Sequence, residues 1–316
     1  MKPIGGRIMG IGAALTSALF LGFTPIFGKQ AILLGFSPLV IVAVRTSLAA
    51  TLLLLLMAVF RPTYLYIYPA GLLGCALAGM LNGIGSIFYY MALNRLTVSV
   101  GQLLYSLYPM FLVIWLLIDR QPPNRITYLR IGLAMLGVYL LTLTQSTQVD
   151  WYGMALMLAA SIMYAIHLPI NQRVLLDIPA PTVTLYTLLA MSAVVIPVYL
   201  LFDRSIPTAD IPWWPVLGLT AVTFASRLTL FLGVKKIGGL QTAILGLSEL
   251  LVSLLVSRYW LHETLSGIQW IGAALLGFSL VLVGFDQIRE ARLTRGGLLG
   301  WVQPPKPQEL TWGPHE

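Results

Sequence analysis

Ten apolar runs separated by short polar breaks leave this chain few ways to fold. They fall near residues 8–27, 38–60, 67–93, 98–118, 126–144, 151–171, 182–202, 213–233, 239–261 and 267–286. A bilayer core of about 30 Å is crossed by about 20 residues of α-helix, and inside lipid the backbone must satisfy its own N–H and C=O groups. The runs therefore predict an all-α polytopic membrane protein of ten transmembrane helices, with the lipid bilayer as its first partner. The breaks carry turn formers or charges, as in RPTY at 61, NRLT at 94, DRQPPNR at 119, KKIGG at 235 and HETLSG at 262. Tyr66, Tyr68, Trp151, Trp213, Trp214, Trp260 and Trp270 fall near the ends of runs, where an interfacial aromatic belt belongs.

Composition excludes the alternatives. Of 316 residues 58% are hydrophobic and 9% charged, against roughly a quarter charged in soluble domains. The net charge of +8 comes from basic residues dispersed singly between apolar runs, which argues against nucleic acid as a partner. Cys75 stands alone inside an apolar stretch, so neither a disulfide framework nor a metal site is expected. No nucleophile elbow, Walker loop or HExxH motif occurs; the chain reads as neither an enzyme nor an ATP-driven pump, and no cofactor is implied. Lys2 and Arg7 precede an apolar run that continues to Phe27, longer than a signal-peptide core and read as a retained first helix.

Charge sets the orientation. With the N-terminus inside, the inner segments hold Lys2, Arg7, Arg61, Arg120, Arg125, Arg130, Arg173, Lys235, Lys236, Arg289, Arg292, Arg295 and Lys306. The outer ones hold only Lys29, Arg95, Arg204 and Arg258, and Arg45 and Arg227 fall within spans. The positive-inside rule then places both termini in the cytoplasm of a cell inner (plasma) membrane protein. Residues 287–316 are polar, basic and Pro-rich and read as a disordered cytoplasmic tail.

The two halves, 1–145 and 146–286, are related. At an offset of 140 residues IGLAMLG (131–137) lies over IGAALLG (271–277), Leu107 over Leu247 and Leu140 over Leu280. At an offset of 144, PIFGK (25–29) lies over PINQR (169–173). Five spans per half oblige the second half to enter from the opposite face, an inverted repeat of the kind that places transporter sites near the midplane.

These residues resemble the EamA family of the drug/metabolite transporter superfamily over roughly residues 8–286. The marks are Pro38 and Arg45 at the start of the second span, Pro109 within ALNRLTVSVGQLLYSLYPMF, and Glu263 within LSELLVSLLVSRYWLHETLSGIQWIGAALLGFSLVL. The first-half counterpart of Glu263 is Pro123, a departure from symmetry. The resemblance implies a permease for amino acids or other small metabolites, often an exporter, working by alternating access as spans 3, 4, 8 and 9 move against spans 1, 2, 6 and 7. A flippase of a lipid-linked substrate and a non-transporting scaffold are the rival readings; substrate and oligomeric state are not legible.

Ionisable groups within the membrane are costly and are functional candidates by default. Glu249, mid-span in the ninth run, and Arg227, past the middle of the eighth, are expected to lie within reach of each other as an ion pair. They either engage the ammonium and carboxylate of a zwitterionic solute or hold two helices together. Arg45 reads as a packing or repeat-interface residue, and Lys29 and Arg173 as interfacial anchors. His167 and Glu249 are candidates for proton coupling. Asn82, Tyr89, Tyr90, Gln102, Tyr105 and Tyr108 in the first half, and Tyr164, Asn171, Ser226, Gln241 and Ser248 in the second, are candidates for lining a solute pocket or for helix-to-helix hydrogen bonds. Of these, Asn82, Tyr89, Gln102, Tyr105, Tyr108, Tyr164 and Gln241 join Glu249 and Arg227 as expected substrate-binding residues. Pro25, Pro109 and Pro169 are candidate hinges. The glycine-rich GLLGCALAGMLNGIG (71–85) is read as a close-packing face.

Overall fold

A computed structural model of the protein describes residues 4–96, 98–119, 123–142, 150–203, 205, 212–261, 266–282, 299–300 and 302. The boundary expected at 145–146, Glu263 and most of the tail lie outside them. Among the described residues all regular structure is helical. In chain order the helices are α1 (Ile4–Leu21), α2 (Thr24–Leu33), α3 (Pro38–Phe60), α4 (Pro69–Arg95), α5 (Val98–Tyr105), α6 (Tyr108–Ile118) and α7 (Arg125–Thr142). There follow α8 (Trp151–Val174), α9 (Ala180–Phe202), α10 (Trp214–Ile237), α11 (Gly239–Gly246), α12 (Ser248–Leu261) and α13 (Gly267–Val281). Among the described residues six helical stretches are long and apolar enough to cross a membrane: Gly5–Leu33, Pro38–Phe60, Pro69–Arg95, Trp151–Val174, Ala180–Phe202 and Trp214–Ile237. Tyr108–Ile118, Gly239–Ser253 and Trp270–Ser279 are shorter apolar helices.

Local chemistry sets the helix ends. A proline occupies the first or second position of α2, α3, α4, α6, α9 and α10, where its missing N–H costs nothing. The Ser37 hydroxyl caps α3 by accepting from the Val40 N–H at 3.3 Å, and the Asp150 carboxylate caps α8 by accepting from the Gly153 N–H at 2.9 Å. Gly238, at φ +88°, closes α10 in the left-handed region that suits glycine.

The faces follow from the bilayer as solvent. Leu52, Leu55, Val59 and Phe60 of α3 and Leu200, Leu201 and Phe202 of α9 point outward, an apolar surface that lipid wets and water would not. Inward, α4 packs on α8 and α9, α10 on α1 and α3, α3 on α9, and α7 on α13. Glycines admit the tightest approaches. A Cβ at Gly79 would come within 2.5 Å of the Thr187 carbonyl oxygen, and one at Gly137 within 2.8 Å of the Gly272 carbonyl oxygen. The expected packing role of the 71–85 stretch is thus seen at Gly79.

Three predicted spans are broken where continuous helices were expected. The first run breaks at Gly22–Phe23, the fourth at Ser106–Leu107 and the ninth at Leu247. Pro25 and Pro109 stand just beyond the first two breaks, and each removes the N–H that would have bonded the carbonyl four residues earlier. Pro169, by contrast, lies inside α8, which runs unbroken from Trp151 to Val174. Arg130, counted above as an inner loop charge, is fully buried in α7 and donates through Nε to the Ser279 carbonyl of α13 at 3.2 Å. In the tail, expected to be disordered, Val302 is fully buried in a core shared with Tyr68, Val174 and Ile178.

Gly79→Leu should cost about 1–3 kcal/mol of stability through overpacking, read as a lower unfolding midpoint in detergent, whereas Gly12→Leu, at a position with open space, should leave the midpoint unchanged. The Gly153 N–H and the Arg95 guanidinium, 3.1 Å away, hold the Asp150 carboxyl below its ordinary value. A depressed carboxyl stabilises the fold above the unfolded-state value of about 4 and loses that effect as pH falls through its folded-state value. Asp150→Ala should therefore lower the unfolding temperature at pH 7, with the difference from the parent shrinking as the pH is taken below 4.

Candidate functional site

The three helix breaks surround one cavity, part of it continuous with the exterior. Leu21 and Thr24 flank the first break, Tyr105 precedes the second, and Glu249 follows the third. The α4 side is a helical stripe of Asn82, Gly85, Ser86 and Tyr89, with Tyr90 beside it. Arg45 enters from α3, Gln102 from α5, Ala160 and Tyr164 from α8, and Arg227 from α10.

Broken helices expose backbone groups that hydrocarbon cannot satisfy, so such breaks persist only where protein or a cavity supplies partners. Here serines supply them. The Ser161 hydroxyl of α8 donates to the Tyr105 carbonyl at 2.9 Å, the group that Pro109 leaves without its helical partner. The Ser253 hydroxyl of α12 donates to the Gly22 carbonyl at the first break at 2.8 Å. At the third, the Tyr108 hydroxyl donates to the Ala243 carbonyl of α11 at 2.8 Å and rests against Gly246, where a side chain would collide with it.

The cavity's charges are buried: Arg45 is 6% exposed, Arg227 7% and Glu249 4%. Arg45 donates from Nη1 to the Thr223 hydroxyl at 3.0 Å and from Nη2 to the Ser86 hydroxyl at 3.2 Å, and lies 4.9 Å over the Tyr90 ring. Arg227 donates from Nη2 to the Asn82 side-chain carbonyl at 3.3 Å and lies 5.9 Å over the Tyr164 ring. Each guanidinium keeps a nitrogen without a hydrogen-bond partner among the described residues, Nε of Arg45 and Nη1 of Arg227, as does the carboxylate Oε1 of Glu249. The expected Glu249–Arg227 ion pair is not formed: Arg227 turns to Asn82, and no contact within 4.0 Å joins it to Glu249. Rather than mid-helix, Glu249 lies in the first turn of α12, where the partial positive charge of a helix N-terminus favours a carboxylate.

Tyrosines complete the wall. Tyr89 and Tyr105 rings are 5.1 Å apart, Tyr105 and Tyr164 5.4 Å, and Tyr108 and Tyr164 4.9 Å. The Gln102 amide donates to the Tyr89 hydroxyl at 3.4 Å, leaving its own Oε1 without a partner. Of the expected substrate-binding residues, Asn82, Tyr89, Gln102, Tyr105, Tyr164, Arg227 and Glu249 thus line this cavity. Tyr108, Gln241 and His167 do not. Tyr108 packs behind Tyr164 and braces α11; Gln241 accepts from Nη1 of Arg130; His167 lies behind Tyr164, ring to ring at 4.6 Å, with Nδ1 against the Tyr164 carbonyl. Lys29, read as an interfacial anchor, instead donates to the Leu93 and Leu96 carbonyls at the end of α4, at 2.9 and 3.1 Å.

Sequence reading gave Arg45 a packing role and passed over Ser86. Arg45 does pin α3 to α4 and α10, and it also faces the cavity. Ser86 was signalled by its place between Asn82 and Tyr89 on one helical face. Among the described residues no group of His, Cys, Asp or Glu is placed to hold a metal ion.

Comparison with known proteins is consistent with this geometry. The model of the EamA-like transporter family matches the chain twice, over residues 8–143 and 151–285. An uncharacterized transporter of Synechocystis sp., sll1319, is 24% identical over 225 residues, spanning 68% of this chain and 67% of that protein. A solved structure described as "Crystal structure of protein" aligns with a TM-score of 0.72 at 16% identity, covering 91% of this chain and 98% of that one, a likeness of fold.

Ser161→Ala removes the donor to the Tyr105 carbonyl and should cost about 1–3 kcal/mol, the penalty of a buried acceptor left unpaired. A matched drop in the detergent unfolding midpoint checks it; an unchanged midpoint would show that the break is held by other contacts.

Proposed function

The chain belongs to the EamA-like transporter family, and on that premise we propose that it moves a small metabolite, an amino acid or a polar or amphipathic solute like it, through the central cavity, in the export direction. The observation that carries this reading is the convergence of polar groups from both halves on one void: Arg45, Asn82, Tyr89 and Gln102 from the first, Tyr164, Arg227 and Glu249 from the second. A buried, aromatic-walled cavity with a few convergent polar groups is the usual form of a small-molecule site.

We read the fold as ten spans in two inverted five-helix repeats, with the broken stretches α1–α2, α5–α6 and α11–α12 each forming one span. The double match of the family model supports this, as do the breaks at Leu107 and Leu247, which fall at the 140-residue offset of the repeat. Packing supports it too: α4 on α8 and α10 on α1 are one contact repeated, third span on sixth and eighth span on first. Two like halves around a central site favour alternating access. The excess of cationic loops on one side orients both termini to the cytoplasm of the plasma membrane. Glu249, in the cavity, is the group through which proton coupling would act, with His167 behind Tyr164 as a second candidate.

Glu249→Gln keeps size and hydrogen-bonding capacity and removes the charge. Flux of a carried metabolite in proteoliposomes should fall at least about tenfold, the loss of one charge-assisted contact, while size-exclusion elution and unfolding midpoint stay those of the parent. Unchanged flux with folded protein would remove Glu249 from the solute site.

A further inference from the structure

The charge count of the cavity narrows the solute further, resting on the reading of the cavity as the carrier's site. Its lining holds two guanidiniums, Arg45 and Arg227, and one carboxyl group, Glu249, which is held ionised when a cation stands against it. Arginine stays protonated under all relevant conditions. Among the described residues both guanidiniums bond only to neutral groups: Thr223 and Ser86 for one, Asn82 for the other. Neither is neutralised by Glu249, which forms no contact within 4.0 Å of Arg227 and keeps Oε1 unpartnered. A charge buried without a counter-charge is strongly unfavourable, whereas one met by a hydrogen-bonded opposite charge is tolerated.

We infer that the solute is an amphoteric monoanion, carrying two negative charges and one ammonium. Its acidic charges meet Arg45 Nε and Arg227 Nη1, and its ammonium meets Glu249, assisted by the unpartnered Oε1 of Gln102 and the tyrosine faces. A neutral zwitterion with one carboxylate leaves one guanidinium uncompensated. A simple dianion meets the carboxylate of Glu249, and a cation meets both arginines. The two negative charges come either from two carboxylates or from one phosphate monoester, which present the same chemistry to two arginines.

The test pairs each anionic candidate with a net-neutral partner: L-glutamate with L-glutamine, L-aspartate with L-asparagine, and O-phosphoethanolamine with 2-aminoethyl hydrogen sulfate, whose sulfate carries a single negative charge. Ligand-induced stabilisation of the full chain in detergent, and inhibition of flux in proteoliposomes, are read for each pair. At least one anionic member should bind ten times more tightly than its partner or better, and which one does so separates the dicarboxylate source from the phosphate source. Arg45→Gln should collapse that preference toward unity, whereas Arg45→Lys, which keeps the charge, and Thr223→Val, which removes only a support of the side chain, should retain most of it. Neutral partners bound as tightly as the anions, no binding by any anion, or an unchanged preference in Arg45→Gln would each overturn the inference. Should Arg45→Gln fail to fold, the parent's pairwise preferences decide alone. Flux of a neutral solute that is lost in Glu249→Gln would leave the transport reading standing while this one falls.

Discussion

Hydrocarbon offers no hydrogen bonds, and that single fact governs where this chain is allowed to be irregular or charged. A backbone break or a guanidinium survives at membrane depth only when protein surrounds it. Arg45, Arg227 and Glu249 consequently share one location with the three breaks. Each break opens the helix wall, each opening needs polar partners, and the partners make a place where charge is tolerated. The cavity is thus a region of the bundle where the constraint that shapes everything else is locally relaxed.

The serines show how narrowly this is managed. Ser161 and Ser253 each meet, through a single hydroxyl, a carbonyl at a break in another helix. In doing so they tie α8 to α5 and α12 to α1 at the depth of the cavity, so the same bonds that make the breaks tolerable set the positions of Tyr105 and Glu249. The glycines act at the opposite extreme. At Gly79 and Gly137 the absence of a side chain lets backbones of α4 and α9, and of α7 and α13, approach within contact distance, where packing substitutes for the hydrophobic driving force that lipid cannot supply.

What the sequence made legible follows from which signals are local. The long apolar runs and the glycine face are properties of short stretches, and among the described residues six of the runs are membrane-length helices and Gly79 packs as read. The breaks beside Pro25 and Pro109 had a local cause, yet proline kinks some helices, breaks others and starts others still, and the choice depends on whether a donor such as Ser161 lies opposite. The break at Leu247 has no proline beside it. What accompanies it is Tyr108, whose hydroxyl reaches Ala243 from 135 residues away, a partnership no window along the chain contains. Arg130 shows the same limit: near a polar break it reads as a loop cation, but Ser279 and Gln241, both distant in sequence, hold it inside the bundle. Pairing choices were the least legible of all, because Arg227 had two polar neighbours within its reach and only the fold determines that Asn82 receives it.

That choice has a functional consequence. Had Arg227 and Glu249 closed on each other, the cavity would hold a satisfied pair, and a solute would have to separate two buried charges before meeting either. Because Arg227 is held by a neutral amide and Glu249 by the positive end of α12, both are positioned without being neutralised. Arg45 follows the same rule with two hydroxyls and the face of Tyr90. Neutral supports keep long cationic side chains in fixed rotamers, so little entropy remains to be lost when an opposite charge arrives, while the full attraction stays available. On the proposed reading, a cavity built in this way would bind by completing its own electrostatics, favouring a solute whose charges are the complement of two arginines and one glutamate.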